Sequence, residues 1–189
     1  VNPGQITGDV NLRRLLSSTK AHSTLTLDGQ NSSDFTLGRL AKISDVEMGP
    51  AEGGLLAIAS HSGYEESHGV IHHRKLYLST GGGNLRGADR LEYSGAPGEI
   101  ARMAVIRFHL HPRVTVAMLR DQRVLIKIRG NRVGWVFRAS ASVALDTSLF
   151  FDIDGRKNCQ QIVINVPLAD LRSIGAVDVK WAFQRNEPL

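Results

Sequence analysis

Ser23-Thr24-Leu25-Thr26-Leu27, followed at once by Asp28-Gly29, sets the reading of the whole chain. Polar and apolar residues alternate with a period of two. In a strand that period sends Thr24 and Thr26 to one face and Leu25 and Leu27 to the other. Asp-Gly then supplies the turn, because both residue types accept positive φ. Working outward, short β-type runs recur at residues 55–59, 69–78, 104–110, 114–119, 124–128, 134–138, 161–166 and 177–183. They are rich in Val, Ile and aromatics, and turn signals separate them: Gly53-Gly54, Gly81-Gly82-Gly83-Asn84, Gly95-Ala96-Pro97-Gly98, Gly130-Asn131 and Asp154-Gly155. Spacings of about 8–12 residues between such runs predict an all-β fold, an antiparallel β-sandwich of many short strands. Only residues 11–18, with Leu12, Leu15 and Leu16 at helical spacing, and a single turn at 167–171 read as helix. No repeat or linker interrupts the pattern, so residues 1–189 read as one domain.

Composition narrows the function. The 189 residues are 42% apolar and 22% charged, which excludes a collagen, a coiled coil and a disordered chain. No apolar run approaches the roughly 20 residues that span a bilayer, so no membrane span is expected. A single cysteine, Cys159, excludes an internal disulfide framework. The net charge of +5 favours an anionic partner. Aromatics make up only 6% of the chain and the basic residues are dispersed, which argues against nucleic acid. Val1-Asn2-Pro3-Gly4 has neither an initiator Met nor the pattern of a signal peptide, so the chain reads as a piece of something longer.

The chemistry-bearing residues are unevenly placed: all seven histidines lie between His22 and His111. By strand parity His22 stands with Thr24 and Thr26 on the polar face of its strand, where an imidazole can ligate a metal or transfer a proton. His61-Ser62-Gly63-Tyr64 sits at a turn, and Tyr64 there suits a general acid or a platform for a sugar. His72 and His73 are adjacent, so they point to opposite faces, His72 with Arg74 and His73 with Lys75 and Tyr77. His109 and His111 share a strand face with Arg107, a spacing that suits half of a metal site. No nucleophile elbow, P-loop or dinucleotide fingerprint is present.

Ala21-His22-Ser23-Thr24-Leu25-Thr26-Leu27-Asp28, Ser60-His61-Ser62-Gly63-Tyr64, Val70-Ile71-His72-His73-Arg74-Lys75-Leu76-Tyr77-Leu78, Leu85-Arg86-Gly87-Ala88-Asp89-Arg90-Leu91 and Arg107-Phe108-His109-Leu110-His111-Pro112 occur in this order. The series resembles the C-terminal β-sheet domain of the heparinase II/III-like family, especially its alphaproteobacterial branch. The resemblance implies the sandwich of a polysaccharide lyase. Its N-terminal (α/α) toroid would be absent from this chain, and its substrate would be an acidic, uronate-containing polysaccharide. It implies β-elimination with His22 as catalytic residue, Tyr64, Arg74 and Arg107 on the substrate, Arg86 as a further cation for its carboxylates, and no activity of the sandwich alone. It also implies a zinc held by His22, His73 and His61, with Asp28, Asp34 or Asp45 as the carboxylate, and a periplasmic or cell-envelope location. The alternative is a carbohydrate-binding or scaffold sandwich with no chemistry of its own.

Overall fold

The structure, a computed structural model, describes residues 3–4, 8–35, 38–99 and 101–186. A short helix α1 (Val10–Leu16), capped by the Asp9 carboxylate on Leu12 N–H at 2.9 Å, leads through a 3₁₀ turn (Thr19–Ala21) into β1 (Leu25–Leu27). There follow β2 (Ile43–Ala51), β3 (Gly54–Tyr64), a one-turn helix α2 (Glu65–His68), β4 (Val70–Ser79) and β5 (Asn84–Tyr93). Next come β6 (Met103–His109), β7 (Val114–Met118), β8 (Val124–Ile128), β9 (Gly134–Ala139), β10 (Ser142–Asp152) and β11 (Gly155–Pro167). The chain then passes through α3 (Leu171–Ile174) to β12 (Ala176–Asn186). All pairings between these strands are antiparallel.

The strands form two sheets, one of four in the order β1-β6-β11-β10 and one of eight in the order β2-β3-β4-β5-β12-β9-β8-β7. Period-two alternation fixes which face of each strand is buried. Ala104, Ile106 and Phe108 of β6 and Ile162, Ile164 and Val166 of β11 meet Leu91, Val124, Ile126, Phe137, Val179 and Trp181 of the larger sheet. Phe108 forms the seam, its ring 4.6 Å from Trp181 and 5.3 Å from both Phe137 and Phe183. The expected all-β sandwich is the observed fold, and Gly53-Gly54, Gly81–Asn84, Gly130-Asn131 and Asp154-Gly155 all sit at hairpin turns. The one-turn helix α2 adds a third short helix to the two that the sequence predicts.

Strand parity fails at two places. His22 does not open a strand: it follows the 3₁₀ turn, and the strand proper is the three-residue β1, with Thr26 as buried as its leucine neighbours. The alternation over 22–28 does not separate a wet face from a dry one because β1, at the edge of the smaller sheet, is buried on both faces. In β3 the register against β4 shifts between His61 and Tyr64. Such a bulge resets the side-chain alternation. It lets both residues, three apart, face inward with their rings 5.7 Å apart.

Candidate functional site

On the inward face of the larger sheet, β3, β4, β5 and β12 each contribute polar side chains to a single chain of hydrogen bonds. Gly63 N–H lies 3.2 Å from His61 Nδ1, His61 Nε2 lies 3.0 Å from His72 Nδ1, and His72 Nε2 lies 2.7 Å from Asp89 Oδ1. Arg74 Nε donates to the same Asp89 oxygen at 2.6 Å, and Trp181 Nε1 donates to the other at 2.8 Å. The direction of every bond is then determined. An amide N–H can only donate, so His61 accepts at Nδ1 and carries its proton on Nε2. His72 then accepts at Nδ1 and donates from Nε2 to the carboxylate. Both imidazoles are neutral in this arrangement.

The electrostatics agree. Burial is the largest influence on His61, and with the charges of His72, Arg74 and His73 it lowers the pKa to about 4. Burial also lowers His72, which is 2% exposed, and outweighs the pull of Asp89. Burial alone would raise Asp89, but the bond from His72 and the charge and bond of Arg74 prevail and hold its carboxyl at about 2. The site is thus an Arg74–Asp89 ion pair extended by two neutral imidazoles, a buried polar network in which the second terminal nitrogen of Arg74 is left without a partner among the described residues. At Gly63 the network meets a polar cleft of about 850 Å³ lined by residues that include Asn31, Ser32, Arg39, Lys42 and Glu65.

A second set of bonds fixes the segment that carries His22. Arg74 NH1 donates to Ser23 O at 2.8 Å, and the Tyr64 hydroxyl donates to Leu25 O at 2.7 Å, both from the larger sheet. From the smaller sheet, Arg107 NH1 donates to Thr26 Oγ1 at 2.7 Å and His109 N–H to Ser23 Oγ at 3.1 Å. Asp28, with φ 45° in the turn after β1, accepts from the N–H groups of Arg102 and Met103 at 2.9 Å each. Upstream, Thr19 N–H donates to Asn31 Oδ1 at 2.9 Å, and Ser32 N–H donates to Thr19 Oγ1 at 2.9 Å. His22 is half-buried beside the buried His109, and among the described residues its ring carries no hydrogen bond. The residues that follow it, from Ser23 to Thr26, are held from both sheets, while its own backbone bonds only locally, His22 N–H to Thr19 O at 3.1 Å and Thr24 N–H to His22 O at 2.9 Å.

The expected substrate contacts therefore move inward. Tyr64 is fully buried, burial raises its pKa, and its hydroxyl is spent on Leu25 O. It is neither an acid nor a sugar platform in this structure. Arg74 and Arg107 bond the His22 segment rather than facing a ligand. The i,i+2 pair of His109 and His111 also dissolves. His109 is buried between Ser148 and Lys20 O, while His111 lies beyond the strand with its ring 5.0 Å from that of Phe150.

Zinc would need imidazole nitrogens converging at about 2.0–2.1 Å on one ion. Both ring nitrogens of His61 are already bonded. His73 lies on the opposite face of β4 from His72, its Nδ1 2.7 Å from Ser60 Oγ. His22 belongs to the stretch that enters the smaller sheet. Of the carboxylates, Asp28 is spent on the β6 amides, and Asp45 sits in the β2 bulge bonded by Ser44. Among the described residues no three or more His, Cys, Asp or Glu side chains are grouped to hold a metal ion. As placed, His61, His73, Asp28 and Asp45 do not gather around one ion.

Asp89, His72 and Trp181 belong to the site although sequence reasoning assigns none of them a role; His72 and Asp89 lie within the stretches that carry the family resemblance. A signal for Asp89 exists: Leu85, Gly87, Asp89 and Leu91 share one parity, and two leucines mark that face as buried. Gly87 belongs to the same device, since a Cβ there would fall 2.1 Å from Trp181 Cζ2, so only glycine lets the indole lie across β5 toward Asp89.

Known proteins share this architecture. The family described as heparinase II/III-like, C-terminal, matches residues 2–182. The FtsZ-localized protein C of Caulobacter vibrioides is 29% identical over 144 residues, covering 71% of this chain and 24% of that protein. Among solved structures, the heparan sulfate lyase HepC from Pedobacter heparinus superposes with a TM-score of 0.69 at 15% identity, over 96% of this chain and 27% of that one. A heparinase III gene product gives 0.71 at 13% identity, over 99% of this chain and 27% of that one. At these identities the structural likeness shows the fold alone, and the chain spans about a quarter of the length of each of these proteins. The match to the family model, which runs over nearly the whole sequence, is decisive: this chain belongs to the heparinase II/III-like C-terminal domain family.

Proposed function

We propose that this chain is the C-terminal sandwich of a polysaccharide lyase that cleaves uronate-containing glycans by β-elimination. In that reaction a base takes the C5 proton, the electrons form the C4–C5 double bond, the C4–O bond breaks, and the departing oxygen gains a proton. An imidazole within hydrogen-bond reach of C5 or of the leaving oxygen can make one of these transfers. The observation that supports this reading is the treatment of His22. Bonds from both sheets hold the stretch just after it, Ser23 to Thr26, yet its ring is unbonded among the described residues. Arg74, Tyr64 and Arg107 act here as positioning residues.

The remainder of the machinery belongs, in this reading, to an N-terminal toroid of a longer protein. Its docking edge is β2–β3, where Ile43, Val46, Met48 and Leu55 are 72%, 68%, 84% and 56% exposed. An open edge strand with this much apolar surface is a liability unless another element covers it. The test is the absorbance of unsaturated uronate with heparin, heparan sulfate and alginate. It is run on the 189-residue chain and on a longer chain that includes the toroid. Turnover is expected only from the longer chain. Turnover by the short chain alone overturns the division of labour, and no product from either favours a binding or scaffold role.

A further inference from the structure

We propose that the outward face of the eight-stranded sheet is a separate binding groove, which takes a linear acidic polysaccharide lying across the strands. Four adjacent strands each place one exposed cation there: Lys75 on β4, Arg86 on β5, Lys180 on β12 and Arg138 on β9. The register sorts them into two rows. Lys75, Ala88 and Lys180 stand opposite one another in turn, as do Tyr77, Arg86, Ala182 and Arg138. Large cations thus alternate with alanines in a checkerboard. The alanines form a low apolar floor, and the cationic side chains stand around it to enclose about 430 Å³.

Among the described residues none of these four cations has a carboxylate partner, whereas their neighbour Arg90 is paired with Glu92 and Asp178. Lys75 and Lys180 are two strands apart, as are Arg86 and Arg138, so like positions repeat at about 10 Å. Two sugar rings of an extended glycan cover much the same span, so a carboxylate or sulfate on alternate rings meets a cation in each row.

The floor and the backbone select the occupant. Sugar rings have apolar C–H faces that suit Ala88 and Ala182. A peptide strand would want main-chain partners, but in mid-sheet every ladder amide is already engaged. A nucleic acid would want aromatic platforms. The groove offers Tyr77, whose ring is covered by Arg86 at 5.6 Å and packs on Gly54. Its hydroxyl donates to Glu52 O at 3.0 Å, which fixes the ring as the wall that orients Arg86. The groove lies on the opposite face of the sheet from His72 and Asp89, and the inference stands independently of the elimination chemistry.

The test is calorimetric titration of the 189-residue chain with short heparan sulfate and alginate oligosaccharides. The comparison variants are Lys180→Glu/Arg138→Glu and a control reversal, Arg156→Glu, on the exposed surface of β11. All three positions are exposed, and thermal melts confirm folding. Binding should weaken by at least about tenfold in the groove variant and stay unchanged in the control. Equal weakening in both, or none in the groove variant, overturns the proposal. So does tighter binding of poly-glutamate or of single-stranded DNA than of either glycan. Elimination activity is read separately, so loss of one reading leaves the other intact.

Discussion

Asp89→Asn is the sharpest perturbation of the buried network, because it changes one atom and the charge while keeping the shape. Asp89 is fully buried and accepts three hydrogen bonds, from His72 and Arg74 on one oxygen and from Trp181 on the other. An asparagine has one acceptor oxygen and an NH₂ group. If the oxygen faces His72 and Arg74, the NH₂ group confronts the Trp181 N–H. If it is flipped, two donors are stranded instead of one. A buried unsatisfied donor costs about 1–3 kcal/mol. Arg74, 19% exposed, also loses its counter-charge, and breaking a buried pair by removing one partner costs about 3–5 kcal/mol. These costs overlap, so we expect a total of about 3–5 kcal/mol. In a domain of this size each kcal/mol lowers Tm by about 2–4 °C, so the variant should melt about 6–20 °C below the parent. The assay is urea and thermal unfolding at neutral pH, followed by Trp fluorescence and circular dichroism. A loss below about 1 kcal/mol would mean that Asp89 is not the anchor of the network.

Gly87→Ala should destabilise by at least about 1–3 kcal/mol through overpacking and shift the Trp fluorescence, because the new methyl would fall 2.1 Å from Trp181 Cζ2. Unchanged fluorescence and stability would show that the indole does not lie over β5. Tyr64→Phe should cost about 1–2 kcal/mol in urea unfolding, since Leu25 O loses the hydroxyl that donates to it at 2.7 Å. For pH, the folded His61 titrates at about 4 against 6.5 for the free side chain, and His72 is lowered in the same direction. Between those values the unfolded chain binds more protons, so stability is full above pH 6.5 and falls on acidification toward pH 4. His61 is partly exposed, so its discounted share is about 2–3 kcal/mol. Asp89 adds a loss of the same sign lower down, as pH falls through about 2. His61→Gln should flatten the upper part of the curve; an identical slope in the variant would refute the neutral-imidazole assignment.

Most of the sandwich is legible in the sequence because its turns are chemically explicit. Asp154-Gly155 marks the β10–β11 hairpin and Gly81–Asn84 the β4–β5 hairpin, whatever the strands contain. Three strands escape, β2, β5 and β10, and only the first two do so because they are polar. β2 carries Asp45, Glu47 and Pro50 because it is an exposed edge, and β5 carries Arg86, Asp89 and Arg90 because one of its faces is a charged surface and the other hides an ion pair. Strand parity separates His72 from His73 correctly. It cannot tell which of the two faces the second sheet covers, and that choice turns Arg74 from a surface cation into a buried partner of Asp89. Tyr64 defeats the pattern for a different reason. The bulge after His61 resets the alternation, and nothing in Ser62-Gly63 fixes its position beyond the freedom of the glycine.

If the sandwich serves to hold His22 in place for a lyase reaction, removing that ring must cost rate and not stability. In a longer chain that carries the toroid, His22→Ala should lower the rate of unsaturated-uronate formation by about 10²–10⁴, the usual worth of a positioned acid–base group. The melting temperature should stay close to that of the parent, because the ring makes no hydrogen bond among the described residues. If the variant turns over glycan at the parental rate, or loses activity only in proportion to lost folding, His22 is not the group the sandwich presents.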